Sequence, residues 1–192
     1  MYELWVSVDE VRGACTAAVP MTVGKGYLVR DGRLHFPGGG PICMYALQST
    51  LPLFVGKERE LAADDWLSRV DTTQCPDPAG RTVWKIERRE MGSTELPPGA
   101  MPDPCSGDLL IEVERVDSLC TAGMAPGKRA LVRGGALYLP QPFCYYALQV
   151  VLPLLPAKQR TLDPNDWMAT DHHVICPDPA GNVVLRIDRI KG

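Results

Sequence analysis

Histidine is scarce in this chain, three residues among 192, and the signatures that most often disclose an activity are missing. There is no phosphate-binding loop, dinucleotide fingerprint, Gly-x-Ser-x-Gly elbow or His-Glu-x-x-His, so the enzyme classes most readily read from sequence are excluded. Basic charge is not in excess. A formal net charge of -3 and a pI near 5.6 offer nucleic acid no cationic face. No apolar run reaches the roughly 18 to 20 residues that a membrane helix needs. The opening MYELWVSVDEV alternates in polarity and contains Glu3 and Asp9, which is not the charged-then-apolar layout of a signal peptide. The expectation is a cytoplasmic protein without nucleic-acid or membrane partners.

What is present is apolar residue and cysteine. With 45% hydrophobic and 22% charged residues the chain has the composition of a packed globular protein. Seven cysteines in a reducing compartment do not suggest a disulfide framework, and the odd total leaves one thiol over in any pairing. Free thiols or metal ligands are expected.

Six of the seven fall at matching places in two copies of one unit of roughly 85 to 90 residues. LWVSVDEVRGAC, from Leu4 to Cys15, corresponds to LLIEVERVDSLC, from Leu109 to Cys120; both alternate as strands. GYLVRDGRLHFP and RALVRGGALYLP follow, and Asp31-Gly32 and Gly134-Gly135 mark hairpin turns between their apolar segments. Next come PICMYALQSTLPLFVGKER from Pro41 and PFCYYALQVVLPLLPAKQR from Pro142, with Cys43, Ala46, Leu47 and Thr50, and Cys144, Ala147, Leu148 and Val151, at helical spacing. Pro41 and Pro142 suit an opening turn, and Pro52 and Pro153 are expected to kink or end each helix. Both copies close on Cys-Pro-Asp-Pro-Ala-Gly and a final strand, containing Trp84 and Ile86 or Leu185 and Ile187. The offset between copies shrinks from 105 at Cys15 and Cys120, through 103 at Gly24 and Gly127, to 101 at Cys75 and Cys176, so the two deletions fall in loops.

The expected fold is α+β. Two tandem β-β-β-α-β-β repeats, 1–89 and 109–192, each form a small antiparallel sheet covered by a short helix, related by pseudo-two-fold symmetry. The stretch 90–108, with four prolines and three glycines, reads as a surface linker holding the unmatched Cys105.

A Gly-Lys before the hairpin, a Pro-x-Cys-x-x-Ala-Leu helix start and Cys-Pro-Asp-Pro-x-Gly before a last strand ending in Arg together resemble a family of small, uncharacterised bacterial and archaeal conserved hypothetical proteins, here in tandem. The resemblance covers both copies and excludes the linker. It implies a common fold unit with matched cysteines and carries no activity.

The candidate site is therefore the thiol set Cys15, Cys43 and Cys75 with Cys120, Cys144 and Cys176. In the first turn of a helix, Cys43 and Cys144 would have their thiolates favoured by unpaired amides, though both also fit an apolar stripe as small hydrophobes. If first and last strands pair, the three thiols of a copy converge at one sheet end, where Zn²⁺ or an iron-sulfur cluster is the occupant such sulfurs would take. No Cys-x-x-Cys knuckle supports that metal. Asp77 and Asp178 are read as turn residues, and Trp66 and Trp167 as buried anchors. Tyr45, Gln48, Tyr146, Gln149, His172 and His173 are candidates for a pocket. Three functions stay open: a thiolate-centred metal, cluster or redox protein; a metal-free small-molecule enzyme or binding protein with a pocket between the copies; and an interaction module with core cysteines.

Overall fold

Period-two alternation becomes antiparallel sheet in the computed structural model, which describes residues 1–37, 39–93 and 95–191. The first half contains β1 (Tyr2–Val11), β2 (Gly26–Arg30), β3 (Arg33–His35), β4 (Ile42–Cys43), α1 (Met44–Lys57), β5 (Thr72–Gln74) and β6 (Thr82–Glu90). The second contains β7 (Leu109–Val116), β8 (Arg129–Arg133), β9 (Ala136–Tyr138), β10 (Phe143–Cys144), α2 (Tyr145–Val151), α3 (Leu155–Lys158), α4 (Trp167–Thr170), β11 (His173–Ile175) and β12 (Val183–Arg189). The class is α+β, with two six-stranded antiparallel sheets ordered β10-β3-β2-β1-β6-β5 and β11-β12-β7-β8-β9-β4.

Each sheet ends in a two-residue strand from the other half of the chain. Phe143 and Cys144 pair with Leu34 and Arg33, while Ile42 and Cys43 pair with Leu137 and Ala136. One residue further on, the Met44 amide donates to the Gly135 carbonyl at 2.9 Å and the Tyr145 amide to the Gly32 carbonyl at 3.1 Å. Neither sheet is thus made from one half alone. The sequence reading placed three strands before each helix where the structure has four, because two residues are too few to show a period.

The exchange also corrects the position of two candidate cysteines. Cys43 and Cys144 are not in a first helical turn; each is the N-cap, with extended backbone at φ -66°, ψ 124° and φ -62°, ψ 126°, and Pro41 and Pro142 precede the short strands. The sheet bond claims the cysteine before the helix can. Of the two expected breaks, α1 runs through Pro52, whereas the second segment, with both Pro153 and Pro156, divides into α2 and α3.

Leu4, Val6 and Val8 of β1 and Trp84 and Ile86 of β6 bury the same face; Leu109, Ile111, Val113, Leu185 and Ile187 do so in the other sheet, and all join one core cluster. Each large apolar side chain buried this way contributes about 1.5–3 kcal/mol. Asp31 and Gly32, at φ 51° and 72°, and Gly134 and Gly135, at 53° and 85°, form the tight turns expected of the two hairpins.

Trp66 and Trp167 are not buried anchors: they are 58% and 59% exposed. The connection after each helix is held by polar groups instead. Asp65 and Asp166 cap the next turn by accepting from the Leu67 and Met168 amides, and the buried Lys57 and Lys158 ammonium groups donate to the Leu67 and Met168 carbonyls at 2.9 Å. The linker is pinned where the Gly99 amide donates to the Pro140 carbonyl at 3.0 Å; a side chain there would meet the Leu139 oxygen at 1.9 Å. Among the described residues no helix is long and apolar enough to cross a membrane.

Candidate functional site: two thiol-lined cavities

Antiparallel pairing of β1 with β6 and of β7 with β12 brings the loop after each half's first strand beside the turn before its last. In the first half the side chain of Asp77 ties these segments together. Its Oδ1 accepts from the Ala79 amide at 3.0 Å, which is the local turn bond that aspartate favours. Its Oδ2 accepts from the Thr16 amide at 3.1 Å and from the Thr16 hydroxyl at 3.0 Å, so Cys15 is held near Cys75. These bonds, the Thr16 amide foremost, keep the Asp77 carboxyl below its usual range. Left-handed backbone falls on Arg81 and Asn182, at φ 46° and 45°, while Gly80 serves close approach: a Cβ on it would lie 2.9 Å from the Cys15 Cα.

Exchange of β4 and β10 adds the third cysteine. Cys15, Cys43 and Cys75 line one cavity of about 350 Å³, whose wall also takes Gly134 and Gly135 from the second half. Cys120, Cys144 and Cys176 line another of about 550 Å³, whose wall includes Gly32 and Glu58 from the first half. Three thiols distant in sequence thus share each cavity, and both cavities lie where the halves meet.

Burial pushes the Cys75, Cys144 and Cys176 thiols up, and neighbouring sulfurs add to this, Cys43 and Cys15 acting on Cys75, Cys176 and Cys120 on Cys144, and Cys120 on Cys176. The amides of Tyr146 and Ala147 face Cys144 and favour its thiolate without closing a capping bond, and burial outweighs them. All seven cysteines are free, Cys105 being exposed in the linker. Among the described residues no three His, Cys, Asp or Glu side chains are spaced to hold a metal ion.

The other candidates scatter. Tyr45 lines the first cavity and Tyr146 the second, whereas Gln48 and Gln149 line neither. His172 sits 3.6 Å from Asp188 along a separate depression, and His173 bonds Glu114 at 2.6 Å in the sheet containing β11. Two residues of the second cavity escaped the sequence reading. The Tyr145 hydroxyl donates to Glu58 Oε2 at 3.0 Å, joining the halves inside the wall. Comparison of the two halves of the sequence does not single out this pair, because Met44 and Gln159 stand at the corresponding places.

No family model, curated protein or solved structure matches the chain.

Proposed function

We propose that the chain is an internally duplicated, metal-free small-molecule-binding protein, a tandem form of the single-unit family it resembles, with one thiol-lined pocket per half closed by the other half about a pseudo-two-fold axis. The observation carrying this reading is that three cysteines from three separate segments line each cavity and that residues of the other half contribute to its lining. Cavity sizes support it, since pockets for small molecules commonly span about 300–1,000 Å³. The raised thiols support it too, because protonated sulfur offers a ligand a soft, weakly polar wall rather than anionic charge. Gathering the six cysteines in this way gives a reason for their matched positions that burial alone does not supply.

A zinc or iron-sulfur centre in each half is the rival. It needs three sulfurs to converge on one point and thiolates in the resting protein. Metal analysis and an absorption spectrum of protein purified without oxygen separate the two. The expected protein is colourless and holds well under one metal per chain, and its Cys15 and Cys120 are alkylated in the native state. Stoichiometric metal that disappears in Cys43→Ala and Cys75→Ala variants would transfer the assignment to the metal reading.

A further inference from the structure

The two cavities differ in one chemically decisive respect. Glu58 is only 3% exposed, yet it lines the larger cavity. Its Oε2 accepts from the Tyr145 hydroxyl at 3.0 Å and its Oε1 from the Gly32 amide at 3.2 Å, so both partners are neutral donors. The charged groups that act on it are Asp31, which opposes its ionisation, and Arg59, which favours it; burial dominates and holds the carboxyl above its usual range. Arg59 is the only basic side chain lining this cavity among the described residues, and its guanidinium donates to the Val55 carbonyl. Asp31 and Asp178 add acidic charge to the same wall.

Beside this carboxyl stand two aromatic rings. Tyr145 and Tyr146 lie with centroids 4.7 Å apart, and Phe54 meets Tyr145 edge-on at 5.7 Å, fixing the ring in place. Aromatic faces attract cations, and a buried carboxylate whose hydrogen-bond donors are both neutral, with the nearby Arg59 guanidinium bonded to the Val55 carbonyl instead, gains from a further positive charge. A neutral ligand would leave that cost in place, and an anion would be repelled by Glu58, Asp31 and Asp178. We propose that the larger cavity takes a small organic cation, an alkyl- or arylammonium group with an apolar body, whose charge is met by Glu58 and by the rings of Tyr145 and Tyr146. Among the described residues the smaller cavity has Asp77 as its one acidic group, already engaged by Thr16, and it does not share this preference.

The inference rests on the reading of the cavities as ligand pockets, and the test separates the two. Binding of benzylammonium and of benzyl alcohol, matched in shape and different in charge, is followed by NMR titration on the intact chain. Benzylammonium is expected to bind the larger cavity about tenfold more tightly than the alcohol, and Glu58→Gln to erase about that factor without altering alcohol binding. Glutamine already occupies the matched place, Gln159. Should that variant not fold, Tyr146→Leu keeps the apolar wall and removes the ring face, and is expected to weaken only benzylammonium, by about threefold. Equal binding of both probes, unaffected by either variant, overturns the cation preference and leaves the pocket standing. If neither probe enters and neither shields Cys120 or Cys176 from alkylation, the pocket reading itself falls.

Discussion

The first cavity is clamped and the second is loose, although the same Cys-Pro-Asp-Pro-Ala-Gly stretch builds both. On the first side the Asp77 carboxylate accepts from the Ala79 amide and from both the amide and the hydroxyl of Thr16, and the Ala14 amide donates to the Ala79 carbonyl at 3.1 Å. Two glycines permit the contact: a Cβ on Gly13 would lie 2.0 Å from the Ala79 oxygen, and one on Gly80 would lie 2.9 Å from the Cys15 Cα. On the second side Ser118 replaces Gly13, its amide reaches the Gly181 carbonyl only at 3.4 Å, and a Cβ on Gly181 would lie 3.4 Å from the Cys120 Cα. Identical letters therefore set the turn, while a small residue in the facing loop decides how closely the walls approach. The volumes, about 350 and 550 Å³, follow the same order.

The comparison breaks most easily at the paired glycines. Gly80→Ala forces a methyl into backbone and into the Asp77 carboxylate, and overpacking of this kind costs about 1–3 kcal/mol. Gly181→Ala meets its neighbours at the edge of ordinary contact and is expected to cost well under about 1 kcal/mol. Urea unfolding of the two variants measures the gap, and equal midpoints would mean that the sides do not differ in tightness.

Next in size is the aspartate of the turn. Asp77→Asn weakens the tie to Thr16, whereas Asp178→Asn disturbs a side chain whose bond is the local one to the Ala180 amide at 3.0 Å. The melting temperature should fall further in the first variant, and native alkylation of Cys15 should quicken while that of Cys120 hardly changes. The sign with pH follows from the lowered Asp77 carboxyl. Its stabilisation is present above the ordinary value of 3.8 and is lost as pH falls through the lower value of the folded protein, so Asp77→Asn should flatten the acid side of the stability curve. A variant as acid-sensitive as the parent would remove Asp77 from the clamp.

Much of this arrangement is legible in the sequence, and the parts that are not share a cause. Alternation around Val6, Val8, Ile111 and Val113 gave the strands, and Asp31-Gly32 and Gly134-Gly135 the hairpins, because local backbone chemistry writes those features into adjacent letters. The spacing around Cys43 and Cys144 predicts helix where the structure has short strands, since their reason for being extended is a partner in the other half. Trp66 and Trp167 were read as buried from their size, but capping aspartates and buried lysines hold those connections. The cysteines stand out by their repetition, whereas Glu58 and Tyr145 do not, because each occurs in one half only. A search for symmetry finds what two sites share and overlooks what separates them.

That asymmetry gives the smallest and most specific effect. Burial raises the Glu58 carboxyl above its ordinary value of 4.5, so the folded state holds that proton after the unfolded chain has released it. The stability it contributes is intact below the ordinary value and declines as pH rises through the raised one. Other carboxylates move the opposite way, Glu3 and Asp108 being held low by arginine partners and backbone amides against their burial, so the curve of the parent alone cannot reveal it. The difference between parent and Glu58→Gln isolates its contribution. It should be level at acid pH and shift in favour of the variant from pH 4.5 upward, with no counterpart at Gln159, which cannot titrate. A constant difference across that range would show that Glu58 ionises as freely in the fold as outside it, and the larger cavity would then have no uncompensated charge to offer a ligand.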